Sequence, residues 1–231
     1  MINLIKLEQS KFDFNVYYKW IIIVNVILTF FVFLIPFVER SDNGVVAFST
    51  YLEAFNTVNI LVGAAFTIFA SVLISKLIIE EYKNKTILIL FSYPIKRKKI
   101  LTAKIIVVIS WTFITLIISS LFVSFAFLIM DSFLKFVPEQ LSMSNIIQQV
   151  VKMITNSLAI SGISLIPLYF GMLKKSVPAT ILSSILIVAF LGFNTESFSL
   201  ASIIIVPVIL AIIGIMIAYM AIRKVETEDL T

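Results

Sequence analysis

Residues Ile105–Met130 read IIVVISWTFITLIISSLFVSFAFLIM and contain no ionisable side chain. A membrane-spanning α-helix needs a stretch of about 20 predominantly apolar residues, and this segment is longer than that. Inside a bilayer no water is present to bond exposed backbone N–H and C=O groups, so a lone spanning segment must be helical. The stretch therefore predicts a transmembrane helix, and it sets the fold class of the chain.

Five further segments share this apolar character and lie on both sides of it: Trp20–Val38, Val58–Ile79, Ile146–Leu173, Val177–Phe193 and Ala201–Ile222. The 231-residue chain is 60% hydrophobic and 13% charged, whereas a soluble domain carries about 25% charged residues. A chain of this composition cannot cover its own surface with polar groups. We predict an all-α integral membrane protein with six transmembrane helices in one domain over residues 1–231.

Several residues inside the predicted spans are unusual for lipid surroundings. Pro167 in the fourth span and Pro207 in the sixth lack a backbone N–H, which predicts a local kink at each. The amide of Asn25 in the first span is expected to face protein or a wet cavity. Ser and Thr side chains in the third and fourth spans are expected to form hydrogen bonds between closely packed helices.

The positions of Lys and Arg predict the orientation in the membrane. With the N-terminus in the cytoplasm, only Arg40, Lys135 and Lys152 of the 18 Lys and Arg residues fall on the outer side. Both termini are then cytoplasmic. Residues 1–19 are predicted to form an amphipathic helix in the inner interface, and residues 223–231 a cytoplasmic tail. Because the cations indicate topology, the net charge of +5 predicts no nucleic-acid partner.

The sequence lacks most residues that carry chemistry. It contains no Cys and no His, which removes thiol chemistry, imidazole metal ligands and the most common general base. No G-x-x-x-x-G-K-[ST] loop is present to bind nucleotide phosphates. The predicted spans have no ionisable side chain in their middle turns, which disfavours a proton-coupled carrier. We predict no enzymatic activity, no catalytic residue, no metal site and no cofactor bound by this chain.

One loop between predicted spans is rich in charged residues, unlike the rest of the chain: Glu80 to Lys104 reads EEYKNKTILILFSYPIKRKKILTAK. Thr86 is placed to cap a short helix that Pro94 ends. The apolar run Ile87–Phe91 between two charged blocks is costly to leave in water and predicts a burial partner. From the residues alone, that partner is either the membrane region, meaning the chain's own spans or the lipid interface, or a separate cytoplasmic protein.

The loop resembles the cytoplasmic coupling loop between the second and third spans of type 2 ABC exporter permeases, the six-span membrane subunits of bacterial ABC transporters. In that family an acid is followed by a short polar stretch, an apolar run, a Ser-x-Pro-Ile-x-Arg element and a later Lys. Lys85 stands where the family often has Gly. The resemblance assigns ATPase coupling to the matching residues: Glu80, Glu81, Thr86, Ile87, Leu88, Leu90, Phe91, Ser92, Pro94, Ile95, Arg97 and Lys104.

The same resemblance implies a cytoplasmic coupling helix and a partner ABC ATPase, present in two copies, that binds ATP and Mg. It implies a second permease, either another copy of this chain or a homologue, and a multi-pass location in the bacterial cytoplasmic membrane. The second and fifth spans would line the interface between the two permeases. Candidate pathway residues on these spans are Phe66, Phe69, Ser183 and Ser184.

The resulting hypothesis is a permease subunit of an ATP-driven exporter that moves hydrophobic or amphipathic cargo, such as antimicrobial or toxin-like peptides or drugs, out of a bacterial cell. Apolar spans with hydroxyl groups and no acidic rings favour such cargo over cations. Two alternatives stay open: a non-transporting immunity or sensor subunit, and an exporter of ions such as sodium. A neighbouring gene for an ABC ATPase would favour transport, and a neighbouring toxin or kinase gene without one would favour the immunity or sensor role.

Overall fold

The computed structural model describes Leu7 and residues 14–43, 48–84, 97–192, 194–195, 198–199 and 205–224. These residues are almost entirely helical. Their helices are α1 (Phe14–Asn43), α2 (Tyr51–Ile74), a π-helical segment (Ser75–Ile79), α3 (Glu80–Lys83), α4 (Arg97–Leu134), α5 (Met143–Ile163), α6 (Ile166–Lys174), α7 (Val177–Leu191) and α8 (Ile205–Lys224). Two-residue strands, β1 (Asn194–Thr195) and β2 (Phe198–Ser199), form one antiparallel pair.

The structure confirms an all-helical integral membrane protein, apart from that small strand pair. Four helical stretches are long and apolar enough to cross a membrane: Tyr17–Val38, Tyr51–Lys83, Lys98–Leu134 and Met143–Lys174. The fifth and sixth predicted spans correspond to the shorter apolar helices Val177–Leu191 and Pro207–Arg223. At a rise of about 1.5 Å per residue, the 15 residues of α7 reach about 22 Å, less than the hydrocarbon core of about 30 Å.

Helix α1 contains the first predicted span, Trp20–Val38, and begins before it, since it runs unbroken from Phe14 to Asn43. No Gly or Pro lies between Asn15 and Trp20 to interrupt the helix. The interfacial helix predicted over residues 1–19 falls mostly outside the described residues, which include only Leu7 before Phe14.

The predicted irregularity at Pro167 is confirmed. Helix α5 ends at Ile163, a turn covers residues 164–165, and Pro167 lies in the first turn of α6. A proline tolerates that position because the N–H it lacks has no intrahelical acceptor there. The backbone N–H of Leu168 instead bonds to the carbonyl of Leu165 at 3.1 Å. The fourth predicted span therefore consists of two consecutive helices.

The chain forms two compact units. One, named here the first-span unit, comprises Asn15–Ala65 and Ile114–Ser157. The other, named the loop-base unit, comprises Phe66–Phe113 and Leu158–Thr231 together with Met1–Phe14. Each unit is described by its own contacts, and the single domain expected from the sequence stays a prediction.

Hydrogen bonds between polar side chains join the helices of the first-span unit. Asn25 is only 7% exposed, and its Nδ2 donates to Ser119 Oγ at 2.9 Å, which confirms that this amide faces protein. Asn59 Nδ2 donates to Gln149 Oε1 at 3.0 Å, and Gln149 Nε2 donates to Ser124 Oγ at 3.1 Å. The predicted role of hydroxyl groups in interhelical bonding is thereby confirmed in α4.

We expect Gln149→Leu to destabilise the first-span unit, because it leaves the buried Nδ2 of Asn59 and the hydroxyl of Ser124 without their partner. The expected loss is about 1–2 kcal/mol of unfolding free energy, in the range measured for polar contacts in membrane bundles. Thermal unfolding in detergent measures it. The matched control is Gln148→Leu, since Gln148 is exposed and bonds to exposed Ser144 at 3.3 Å. Equal losses in both variants would contradict the assignment.

Close backbone approaches pack the loop-base unit. A Cβ added at Gly214 of α8 would strike the backbone carbonyl of Gly162 in α5, and a Cβ at Gly162 would lie 2.8 Å from the Cβ of Ala211. A Cβ at Gly171 of α6 would strike Thr180 of α7. Small residues at these crossings allow helices to approach without a side chain between them. The result is a dense packing of the π-helical segment, α6, α7 and α8.

Candidate functional site

An ion pair joins the two helices that flank the charged loop. Lys104 on α4 places its Nζ 2.9 Å from Oε1 of Glu81 on α3. The Lys104 side chain is 0% exposed and the Glu81 side chain 13%. The two residues are 23 positions apart in sequence, and residues 85–96 of the loop lie between them. The pair therefore closes the base of the loop from inside the loop-base unit.

Lys104 makes a second bond, to the backbone. Its Nζ donates to the carbonyl oxygen of Leu77 at 2.9 Å. Leu77 belongs to the π-helical segment Ser75–Ile79, which connects α2 to α3. A π-helical turn inserts one residue into the regular hydrogen-bond ladder, which shifts the facing of every residue that follows. The insertion thus sets the rotational position of Glu81 and presents a carbonyl to the buried ammonium group.

The energetics of a buried pair differ from those of a surface pair. Both charges have lost most of their hydration, and their mutual attraction offsets that cost only while both are present. Removing one partner of such a pair destabilises a protein by about 3–5 kcal/mol. The Lys104–Glu81 contact therefore fixes the separation of α3 and α4 tightly, although its net contribution to stability relative to an apolar pair is small.

Glu80, the acid next to Glu81, forms a pair near the surface instead of a buried one. Glu80 Oε1 lies 3.1 Å from Lys76 Nζ, one helical turn earlier, and the two side chains are 35% and 52% exposed. Exposed pairs of this kind contribute about 0–1 kcal/mol. The sequence left open which acid matches the family motif, and the geometry favours Glu81 as the structural partner while Glu80 keeps a carboxylate near the surface.

Most of the predicted docking surface lies outside the described residues. This applies to Thr86, Ile87, Leu88, Leu90, Phe91, Ser92, Pro94 and Ile95. Arg97 is the first residue of α4, and its backbone alone is described. The structure brings together Glu81 and Lys104 from the predicted coupling set, and the roles assigned to the other members stay predictions.

The four candidate pathway residues lie within the loop-base unit. Phe66 and Ser184 are 1% and 0% exposed, and Ser183 is 7% exposed. Phe66 packs edge to face against Phe69 with ring centroids 5.9 Å apart, and the hydroxyl of Ser184 lies 2.9 Å from that of Ser71. Helices of the same chain cover Phe66, Ser183 and Ser184, whereas Phe69 is half-buried. A pathway role for the three buried residues would require a conformation in which α2 and α7 separate. The pathway assignment stays a prediction.

Two contacts that the structure shows were not predicted from the sequence. The carbonyl of Leu77 accepts a side-chain bond only because the chain adopts a π-helical turn there, and no residue pattern marks that turn. The amide pair of Asn59 and Gln149 was also missed. A usable signal existed, since an uncharged amide inside an apolar stretch needs a partner in a neighbouring helix.

Comparisons with known proteins show the family of the chain. The sequence model of the family described as ABC-2 family transporter protein matches residues 4–192. The chain is also 42% identical over 228 residues to a protein of Bacillus subtilis (strain 168) that carries the name "Uncharacterized protein YcbO", a match that covers 99% of this chain and 100% of that protein. No solved structure matches the chain. The chain therefore belongs to the ABC-2 family of transporter proteins and is a membrane permease of an ABC transporter.

Proposed function

We propose that this permease exports hydrophobic or amphipathic cargo from a bacterial cell at the expense of ATP hydrolysed by a separate ABC ATPase. Amphipathic peptides of the antimicrobial or toxin-like kind are the first cargo class to test. Family membership supports the permease role. The observation that carries the coupling mechanism is the buried Lys104–Glu81 ion pair, which joins the two ends of the loop.

In this mechanism the ATPase docks on the apolar run Ile87–Phe91. Helix α3 leads into the loop, α4 leaves it, and the ion pair between Glu81 and Lys104 resists a change in their separation. A displacement of the loop is then transmitted to both helices together. ATP must bind more tightly to one state of the complex than to the other, because a ligand shifts an equilibrium only by its differential affinity. That difference arises on the ATPase.

Charges around the run divide into two roles. Lys104 is completely buried, so its charge acts inside the permease and holds the loop base. Glu80 keeps an exposed carboxylate, and Arg97 begins α4. We assign these two residues to charge pairs with the ATPase, which set the register of docking while the apolar run supplies most of the burial.

The assembly follows from the same proposal. The permease crosses the bacterial cytoplasmic membrane six times with both termini in the cytoplasm, and it pairs with a second copy or a homologous permease above two ATPase subunits. The short α7 counts as a span when the inner and outer loops extend it or when the bilayer thins locally, whereas the 20 residues of α8 have the length that a span needs. ATP and Mg bind to the ATPase subunits alone.

A groove on the first-span unit offers an apolar surface for such cargo. It has a volume of about 290 Å³. Apolar side chains dominate its wall, with one amide, one threonine hydroxyl and one tyrosine hydroxyl among them, and most of the lining side chains are exposed. The groove lies on α1 and α4 and is lined by Tyr18, Ile21, Ile22, Asn25, Val26, Thr115, Ile118 and Phe122.

The test is reconstitution of the permease with its partner ABC ATPase, in vesicles whose ATPase side faces outward. We expect ATP-dependent accumulation of labelled amphipathic peptides. A drug panel and ²²Na⁺ are assayed in parallel, with an ATPase variant lacking hydrolysis as the control. ATP-dependent sodium accumulation without peptide accumulation would assign ion export. A permease that neither binds the ATPase nor supports any ATP-dependent flux would point to the non-transporting role.

A further inference from the structure

A short non-helical connection, residues 135–142, joins the end of α4 to the start of α5 in the first-span unit. Lys135 has a left-handed backbone with φ of 48°, and its N–H bonds to the carbonyl of Asp131 at 2.8 Å, which ends α4 sharply. The hydroxyl of Ser142 accepts the backbone N–H of Asn145 at 3.3 Å near the start of α5. The distribution of Lys and Arg predicts that this connection lies on the outer side of the membrane.

Two carboxylates hold the connection against the start of α2. Asp131 is only 6% exposed, and it accepts the hydroxyl of Tyr51 at 2.6 Å and the backbone N–H of Val137 at 3.0 Å. Glu139 accepts the backbone N–H of Tyr51 at 3.0 Å and Nδ2 of Asn145 at 3.3 Å. Tyr51 is the first residue of α2, where backbone N–H groups lack intrahelical acceptors and the helix dipole favours a negative charge.

Apolar contacts extend the attachment to a further helix. Phe136 and Val137 are 8% and 6% exposed, whereas the other six side chains of residues 135–142 are exposed. Phe136 packs edge to face against Phe37 of α1, with ring centroids 5.4 Å apart. The connection therefore contacts α1, α2, α4 and α5, and it holds together the same ends of all four helices of the first-span unit.

This attachment is suited to reversible opening. It consists of a few hydrogen bonds and two buried side chains, and segments with few buried contacts open at a lower free energy than the helices around them. Glu139 is exposed, so water can replace the bonds that its carboxylate makes. Pro138 fixes one backbone dihedral angle in the middle of the segment, which favours movement of the segment as one piece.

We propose that residues 135–142 form a lid on the outer end of the first-span unit, which Glu139 latches to the start of α2. Release of the latch lifts Phe136 and Val137 from their buried positions and allows the outer ends of the four helices to separate. The exit of cargo through that opening rests on the export function proposed above. The latch itself is a property of the permease alone.

Thiol labelling measures the opening of the lid. The chain contains no Cys, so Val137→Cys places a single thiol under the lid and Gln140→Cys places one on its exposed surface. In the purified full-length permease we expect a polar maleimide to label Val137→Cys much more slowly than Gln140→Cys. Adding Glu139→Gln should raise the labelling rate of Val137→Cys by about tenfold, the factor for loss of a hydrogen bond to a charged acceptor.

The matched control is Glu53→Gln in the Val137→Cys background. Glu53 is an exposed glutamate in the first turn of the same helix, and its Oε2 accepts the backbone N–H of Ser49 at 2.8 Å, outside the lid. We expect its loss of charge to leave the labelling rate unchanged. Equal acceleration by Glu53→Gln and Glu139→Gln, or no acceleration by Glu139→Gln, would overturn the latch.

A second readout covers the case in which Val137→Cys itself disturbs the fold. Hydrogen exchange of the Tyr51 amide reports the latch directly, because that N–H is donated to Glu139. In the chain without Cys substitutions, Glu139→Gln should accelerate exchange of this amide by about tenfold. An unchanged exchange rate would overturn the proposal.

A reversible cross-link tests the role of the lid in transport. In Ser49→Cys/Gln140→Cys both substituted side chains are exposed, and a short bifunctional methanethiosulfonate can join the lid to the chain just before α2. We expect the cross-link to abolish ATP-dependent cargo accumulation in vesicles and a reductant to restore it, with no effect of the reagent on either single variant. Accumulation that persists in the cross-linked permease would overturn the role of the lid in cargo exit. The labelling and exchange experiments use neither ATPase nor cargo, so their failure is distinct from a failure of the export proposal.

Discussion

Lys104→Met is expected to uncouple ATP hydrolysis from transport and to destabilise the permease by about 3 kcal/mol or more. The substitution keeps a long apolar side chain but removes the ammonium that bonds to Glu81 and to the carbonyl of Leu77. The carboxylate of Glu81, with a side chain 13% exposed, then loses its bond to Lys104. Thermal unfolding and the ratio of cargo moved to ATP hydrolysed measure the two effects.

A second variant separates stability from coupling. In Glu81→Leu/Lys104→Met both charges are replaced by apolar groups, which restores stability in many buried pairs. We expect stability to recover and coupling to stay below about a tenth of the wild-type ratio, because an apolar contact lacks the directional bonds that fix the separation of α3 and α4. Recovery of both properties would show that the pair serves only the fold.

Lys76→Met is the control for the loss of a lysine near the loop base. Lys76 pairs with Glu80, and the side chains are 52% and 35% exposed, so removal of this surface pair changes stability by less than about 1 kcal/mol. Coupling should stay at the wild-type ratio. A loss of coupling as large as that of Lys104→Met would shift the proposed role from the buried pair to the local positive charge.

Leu88→Asp/Leu90→Asp is expected to abolish co-purification of the ATPase while the permease still inserts into the membrane. Burial of each leucine in a groove contributes about 1.5–3 kcal/mol. Replacement of both by carboxylates therefore removes at least about 3 kcal/mol, or more than about a hundredfold in affinity. Tandem affinity purification from membranes measures the loss, and ATPase stimulation by the permease provides a second readout.

The matched control for this double variant is Tyr93→Asp. Tyr93 occupies a variable position of the Ser-x-Pro-Ile-x-Arg element, so an added carboxylate there tests charge alone within the same loop. We expect Tyr93→Asp to retain the ATPase. Normal co-purification with Leu88→Asp/Leu90→Asp would remove the docking role of the apolar run and leave burial in the membrane region as its explanation.

Much of the fold could be read from composition and spacing. Residues Ile105–Met130 are helical as predicted, and the helix extends beyond them on both sides to cover Arg97–Leu134. The amide of Asn25 faces Ser119 as expected. Pro167 interrupts the fourth segment. These predictions succeed for one physical reason. A membrane restricts a spanning backbone to few conformations, and it forces a polar side chain to bond within the protein.

Only part of the candidate site could be predicted from the sequence. The sequence indicated that Glu80 or Glu81, together with Lys104, matters to the loop, but it suggested that all these charges face the ATPase. The structure turns Lys104 inward, where it bonds to Glu81 and Leu77. These contacts depend on the π-helical segment. Its inserted residue rotates every later residue of the helix to a different face, and the spacing of apolar residues in the sequence does not reveal the insertion.

The order of residues alone predicts a helical membrane protein in which one charged loop resembles a coupling loop, since hydrophobicity and motif residues are properties of the chain read in order. The three-dimensional structure alone shows which acid meets Lys104 and which serines and amides bond across helices. Those pairings depend on how helices distant in sequence rotate and approach one another, and packing contacts between them settle that geometry.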